Sequence, residues 1–360
     1  MRALGESCRT IARAPGEPFV RVIDQTRLPK ELAWAQLATV REVASAIRTM
    51  VVRGAPLIGV TAAYGLAIGL HADASDAALE EAKATLAATR PTAVNLRWAL
   101  ERVSKAVREV ATDARAEAAF READAIAEED VAASRAIGRH GAALLREVWM
   151  RRSGAGLPDA ALRVMTHCNA GWLATVDWGT ALAPLYTLAE EGVPLHVWVS
   201  ETRPRNQGLL TEWELRQEGI AATLLADSAC GLVMARGEVD CVIVGSDRTA
   251  ANGDVCNKIG TYLKALAAKE HGIPFFVALP SSTLDLSAPN GASIPIEERA
   301  AIELTTLPDV HAVNPAFDVT PARFVTKLIT ERGVCDANAA DIARLHPTEG
   351  RTATTPERAS

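Results

Sequence analysis

Past residue 160 the apolar pattern of this chain changes its period, and that change restricts the fold more than any other feature. Short apolar runs, "RVMTH" (163–167), "LHVWVS" (195–200), "AATLLA" (221–226), "DCVIVG" (240–245) and "PFFVAL" (274–279), are separated by helical stretches near 179–191, 211–218, 228–236 and 258–271. Runs that are apolar on both faces and alternate with helices predict a parallel sheet covered on both sides. The first 150 residues read differently. A short strand, "FVRVID" (19–24), leads into alanine-rich helical patterns near 29–50, 56–71, 75–89, 93–112 and 118–150, with apolar residues recurring at three and four. "RRSGAGLPDA" (151–160) carries Gly, Ser and Pro and marks the boundary. The expected organisation is a mainly helical N-terminal domain with a short β segment (1–150), a parallel-sheet α/β domain (160–340) and a flexible polar tail (341–360).

The 360 residues are 49% hydrophobic, enough for a substantial core. A net charge of −6 leaves no basic footprint for nucleic acid. The six cysteines (Cys8, Cys168, Cys230, Cys241, Cys256, Cys335) show no CxxC pair and no metal spacing, so free thiols in a reducing cytoplasm are expected. The opening "MRALGESCRTIARAPGEP" lacks the apolar stretch of a signal peptide. "APLIGVTAAYGLAIGL" (55–70) is short for a bilayer span and contains three glycines, so it reads as a buried helix. No GxGxxG follows the first strand of the sheet, which leaves a dinucleotide cofactor unsupported.

Ligands of open parallel sheets bind beyond the carboxyl ends of the strands. Those ends read "THCNAG", "SETRPRNQG", "ADSA", "GSDRTAANGDVCNK" and "PSSTLD". This topology predicts that Cys168, Glu201, Gln207, Asp227, Asp247 and the Asn257–Lys258 pair share one rim. Cys168, between His167 and Asn169, reads either as a small buried residue or as a nucleophile or proton carrier. Asp247 reads either as a turn residue or as a carboxyl whose pKa rises with the apolar strand behind it. "TRPRNQG" adds Arg203 and Arg205 beside Gln207. The tryptophans, Trp172, Trp178, Trp198 and Trp213 among them, serve equally as pocket walls or as core.

Three places suit a phosphate. "RGAPLIG" (53–59) sets Arg53 and Gly54 before a helix with Pro56 in its first turn, where free N–H groups and the dipole favour an anion. "TRPTAVNLRWAL" (89–100) repeats the theme with Arg90. "NK" at 257–258 is expected to open a further helix.

Taken together, several stretches resemble one family, the methylthioribose-1-phosphate isomerases of methionine salvage. They are "VIDQTRLP" (22–29), "MVVRGAPLIGVTAAYG" (50–65), "RPTAVNL" (90–96), "THCNAG" (166–171), "ETRPRNQG" (201–208), "DRTAANGDVCNKIGTY" (247–262), "PSSTLD" (280–285) and "NPAFDVTPARFVT" (314–326). They run in order over roughly 20–335. The resemblance implies a helical N-terminal domain, a Rossmann-like C-terminal domain and a homodimer. It also implies interconversion of an aldose 1-phosphate and a ketose 1-phosphate without metal or organic cofactor. Cys168 matches the family's catalytic cysteine and Asp247 its proton-donating aspartate. Arg53, Gly54, Ala55, Arg90, Gln207, Asn257 and Lys258 match positions that hold the substrate. "GSD" stands where the family has Gly-Ala-Asp, and "GWLATVDWGTA" is bulkier than the family's stretch after the cysteine.

The expected chemistry has Asp247 protonate the ring oxygen and open the furanose, after which Cys168, as thiolate, removes the C2 hydrogen to give an enol phosphate. A C2-to-C1 hydride shift is the rival route. The fold also houses regulatory subunits of the eukaryotic exchange factor for translation initiation, binding proteins that generally lack the Cys–Asp pair. Ribose 1,5-bisphosphate would need further basic groups, which the surroundings of "TVDW" do not supply. A 5-deoxyribose 1-phosphate differs from the methylthio sugar only at an apolar pocket.

Overall fold

The computed structural model describes residues 1–90, 92–153, 160–307 and 309–347. The chain opens with a hairpin, β1 (Arg2–Ala3) and β2 (Glu6–Ser7), and an antiparallel sheet of β3 (Ile11–Ala12), β4 (Val20–Ile23) and β5 (Trp34–Leu37). A helix had been expected from residue 29. Instead Trp34–Leu37 pairs with β4, and α1 (Val40–Arg48) starts only after Thr39, whose side chain closes a capping box with Glu42. Then come α2 (Ala55–Ala72), α3 (Asp76–Ala87), α4 (Val94–Val107) and the 39-residue α5 (Arg115–Ser153).

Helix α2 is long and apolar enough to cross a membrane by length and composition alone. Thirteen of its 18 residues are buried, and it packs against α1, α3, α4 and α5. A helix apolar on every side is stable in water only at the centre of a bundle. Helix α5 belongs to two cores. Ala118–Val131 pack with α2 and α4, whereas Ile137, Ala142, Leu145 and Val148 pack under the main sheet. The division between the cores falls inside α5, and most of the 151–160 stretch read as the boundary lies outside the described residues.

The second region contains β6 (Leu162–Thr166), α6 (Ala183–Glu190), β7 (Leu195–Ser200), α7 (Gly208–Gln217), β8 (Ala221–Leu225), α8 (Cys230–Ala235) and β9 (Cys241–Val244). After them come β10 (Arg248–Ala250), β11 (Val255–Lys258), α9 (Thr261–Glu270), β12 (Phe275–Ala278), β13 (Leu284–Asp285), β14 (Phe317–Thr320), β15 (Lys327–Thr330), β16 (Gly333–Cys335) and α10 (Ala339–Leu345). All five expected strands are present. They join β15 in a parallel sheet of order β15-β12-β9-β6-β7-β8, with β16 antiparallel at the edge. In chain order this is the doubly wound 3-2-1-4-5-6 arrangement, a Rossmann-like α/β fold whose strand order reverses between β6 and β9. Ligands of such sheets bind in the crevice at that reversal.

A second sheet, β13-β10-β11-β14, was not anticipated; its strands have two to four residues each, too short to show a period of two. It corrects one expectation, since Asn257 and Lys258 end strand β11 rather than opening a helix, and α9 begins at Thr261 after the left-handed Gly260. A second correction concerns the tail. Residues 339–345 form α10 with Ile342 buried, because Asn338 caps the helix and Ile342 completes the core under β16.

Candidate active site

Cys168 follows β6 and Asp247 follows β9, the two strands on either side of the reversal. Their carboxyl ends open into a cavity of about 90 Å³ walled also by Arg53, Gly54, Ala55, Arg90, Gln207, Asn257 and Lys258. All nine residues that the family resemblance assigns to the site therefore meet at one place. Three devices bring them there.

The first is the close approach of α2. Gly54 caps this helix at φ +94°, and a Cβ on it would lie 2.4 Å from the carbonyl oxygen of Ala174. Only glycine lets the helix start press onto the segment after Cys168. Helix α2 then begins at Ala55, with Pro56 in its first turn, so its unpaired N–H groups face the cavity wall. Arg53 donates through Nη1 to Asn169 Oδ1 and through Nη2 to the Asn169 carbonyl (2.7 Å).

The second is the β10–β11 hairpin, which folds "DRTAANGDVCNK" back on itself. The Asp247 N–H donates to the Cys256 carbonyl (3.0 Å), so Asp247 lies beside Asn257 and Lys258 although nine residues of chain lie between it and Asn257. Asn257 donates to Thr261 Oγ1 (3.0 Å). Lys258 donates to the Ala316 carbonyl (2.9 Å), with Nζ 4.5 Å from the centre of the Phe317 ring.

The third is the loop after β6. Cys168 has φ +64°, a strained backbone for a side chain with a Cβ. Hydrogen bonds hold it from both sides: its N–H donates to Thr202 Oγ1 (2.9 Å) and its carbonyl accepts from Thr211 Oγ1 (2.7 Å). Asn169 donates to Glu214 Oε1 (3.0 Å), which also accepts the Leu173 N–H (2.8 Å). Thr211 and Glu214 lie one turn apart on α7, so that helix carries Gln207 at its start and fixes the cysteine loop beneath. Nothing in "TEWEL" signals this role, since a glutamate at helical spacing usually faces solvent.

Several expected rim residues lie elsewhere. Asp227 is consumed by the β7–α7 loop, accepting from Ser200 Oγ, the Thr202 N–H (3.0 Å) and the Arg203 N–H (2.7 Å). Neither Asp227, Glu201, Arg203 nor Arg205 lines the cavity. No tryptophan does either: Trp172 and Trp213 are buried together in the core, ring centres 5.9 Å apart. Arg90 does not head a helix, because α4 begins at Val94. Ile294, Pro295 and Phe317, absent from the sequence-based site, supply apolar wall.

The electrostatics are unusual. Among the described residues Arg53, Lys258 and Asp247 form no ion pair, and the Asp247 carboxyl accepts no hydrogen bond. Burial pushes the Asp247 carboxyl above its ordinary range, against Lys258, Arg90 and Arg53, while Glu297 adds to the rise. Burial also pushes the Cys168 thiol up, against Arg53 and Lys258. It pushes Lys258 down, against Cys168 and Asp247. Two buried polar atoms facing this wall lack partners, Gln207 Oε1 and Arg90 Nε. Buried groups left without hydrogen bonds cost free energy, and an anionic, hydroxyl-rich ligand satisfies both.

Residues 51–337 match the Initiation factor 2 subunit family. The methylthioribose-1-phosphate isomerase of Dechloromonas aromatica (strain RCB) is 57% identical over 363 residues, covering 96% of this chain and 99% of that protein. Among solved structures, 5-methylthioribose 1-phosphate isomerase from Pyrococcus horikoshii OT3 is 41% identical with a TM-score of 0.82, covering 94% of this chain and 96% of that one. The translation initiation factor eIF-2B, subunit delta, from A. fulgidus is also 41% identical, with a TM-score of 0.78, covering 94% of this chain and 99% of that one. By sequence, length and architecture alike, the chain belongs to the methylthioribose-1-phosphate isomerase family, within the wider Initiation factor 2 subunit family.

Proposed function

We propose that this chain is an aldose–ketose isomerase of methionine salvage that converts 5-methylthioribose 1-phosphate to 5-methylthioribulose 1-phosphate, with Cys168 and Asp247 as its catalytic pair. What supports this most is the convergence of those two side chains, from the strands that flank the reversal, on one cavity with three cations and a helix start. The cations Arg53, Arg90 and Lys258 and the N–H groups of α2 suit the phosphate. The apolar wall of Ile294, Pro295 and Phe317 suits a 5-substituent without charge.

The phosphorylated anomeric carbon blocks spontaneous ring opening, so an acid must protonate the ring oxygen. Asp247, its carboxyl raised by burial, is suited to that task. Cys168 then takes the C2 proton as thiolate, the C1–C2 enol phosphate is reprotonated at C1, and loss of the C2 hydroxyl proton leaves the ketose. Both groups are raised, so thiolate with protonated carboxyl is the minority proton arrangement of the pair; Arg53 and Lys258 favour its thiolate, and burial favours its protonated carboxyl. Water kept out of the cavity protects the enol.

Turnover in deuterated water tests the route. Deuterium at C1 of the product supports the enol, and complete retention of the C2 hydrogen in C1 points to a hydride shift. Steady-state kinetics on the methylthio, 5-deoxy and 5-phosphorylated sugar 1-phosphates test the substrate. If none turns over, a regulatory binding role like that of the initiation-factor relatives replaces the isomerase. We further propose that the chain is cytoplasmic, which fractionation of cells checks, and that it is a homodimer, which light scattering of the purified chain checks. Exposed Ile302, Leu307 and Val313 support a partnered surface.

A further inference from the structure

A ladder of ion pairs joins the cavity wall to a segment that has no part in the mechanism above. Arg90 donates through Nη2 to Glu297 Oε2 (2.9 Å), and Glu297 Oε1 accepts from Arg299 Nη1 (2.9 Å). Arg299 pairs onward with Glu303, which Arg205 of the β7–α7 loop holds from the far side (2.8 Å). The Glu297 side chain is 20% exposed and that of Arg90 12%, so solvent screens the pair only partly. The backbone at Glu297 is fixed as well. Its carbonyl accepts the Ala316 N–H (2.8 Å), and the Ala316 carbonyl accepts the Lys258 ammonium (2.9 Å). One residue thus sets the spacing between two cations of the site, while Ile294 and Pro295 just before it line the cavity. Arg90 meets this carboxylate through Nη2, and its Nε is buried without a partner.

We propose that Glu297 is a positioning residue, which grips Arg90 by one nitrogen, aims the rest of the guanidinium at the substrate phosphate and holds it in register with Lys258. The proposal rests on the isomerase reading, in which that phosphate is the ligand. An alternative role is competition, with Glu297 occupying the place of the anion on Arg90. The two roles predict opposite signs for phosphate affinity.

The test uses the full chain with Glu297→Gln and Glu297→Asp, with inorganic phosphate as calorimetric probe and the sugar 1-phosphate for kinetics. Positioning predicts that E297Q weakens phosphate binding and raises KM by about tenfold, the worth of one charge-assisted hydrogen bond, with a smaller change in kcat. E297D, which keeps the charge on a shorter arm, recovers part of the loss. A pH profile supplies a readout that a structural role leaves still. The charged groups facing Asp247 are Lys258, Arg90, Arg53 and Glu297, with the Cys168 thiol in the same cavity. Removing the one negative neighbour lowers the Asp247 pKa, and because the thiol is the higher of the pair that pKa sets the acid limb of kcat/KM, which moves to lower pH in E297Q. Phosphate affinity equal to or tighter than that of the unmodified chain, or an unmoved acid limb, overturns the proposal. Phosphate binding is measured without turnover, so it judges Glu297 even if no sugar phosphate is converted, and the two failures are told apart.

Discussion

The two ends of the main sheet both gather charge, and they treat it in opposite ways. At the amino end, Asp240 accepts four hydrogen bonds: from the Arg163 N–H (2.8 Å), Nε (3.2 Å) and Nη2 (2.7 Å), and from Arg152 Nη1 (2.9 Å). These groups line a wide cleft that also receives the C-terminal ends of α5 and α9, where cations complement the helix dipoles. At the carboxyl end, among the described residues, Arg53, Lys258 and Asp247 stand without ion pairs in a narrow cavity. Charge that is paired and complemented by dipoles serves the fold. Charge buried unpaired destabilises the empty protein, and it is offset when a ligand of opposite charge arrives.

The strongest way to break this contrast is to remove the unpaired groups that do chemistry. Cys168→Ser and Asp247→Asn are each expected to lower kcat about 10³-fold while the thermal midpoint holds, read by steady-state kinetics beside a melting curve. Near-full activity in either variant ends the contrast at once. At the opposite end, Asp240→Asn strands two arginines, so the expected loss is about 3 kcal/mol in a denaturant titration with KM and kcat retained. A catalytic defect there would erase the difference between the ends.

Arg53→Lys sharpens the comparison further. An ammonium cannot span both Asn169 acceptors, and KM for the sugar phosphate is expected to rise about tenfold. Arg152→Lys at the amino end should leave KM where it is, and equal effects of the two on KM would contradict the division. The smallest effect concerns Asp130 on α5, which burial raises to about 7 although it accepts the Val176 N–H (2.7 Å). Its folded pKa lies above its unfolded one, so the folded chain binds the extra proton. The associated stability is complete below about pH 4 and is lost as pH rises to about 7. Asp130→Asn keeps an acceptor for Val176 without the charge. It should therefore gain about 1–2 kcal/mol over the unmodified chain at pH 8 and little at pH 4, in paired thermal melts.

Much of this molecule could be read from its residues. The five apolar runs after residue 160 became strands at the expected places because strands covered on both faces must be apolar throughout. Cys168, Asp247 and the Arg53–Gly54–Ala55 start of α2 were visible because strand ends and helix starts carry their chemistry in adjacent residues, whereas Arg90 and Lys258 reach the cavity from places that are not helix starts. The second sheet was not visible, since strands such as Leu284–Asp285 are shorter than any periodicity. Glu214 and Glu297 were not either, because each acts on a residue far along the chain, Asn169 and Arg90.

By itself, then, the sequence determined an alternation of elements that closes as a parallel sheet covered on both faces, and it determined which reactive side chains stand at the strand ends. Tertiary structure decided which charges find an opposite charge and which do not among the described residues, how the strained Cys168 is held, and that burial raises both its thiol and the Asp247 carboxyl. The physical reason is one of range. Periodicity and caps act over a few residues of chain, whereas desolvation and Coulomb coupling act over a few ångströms of space, between groups that the sequence keeps far apart.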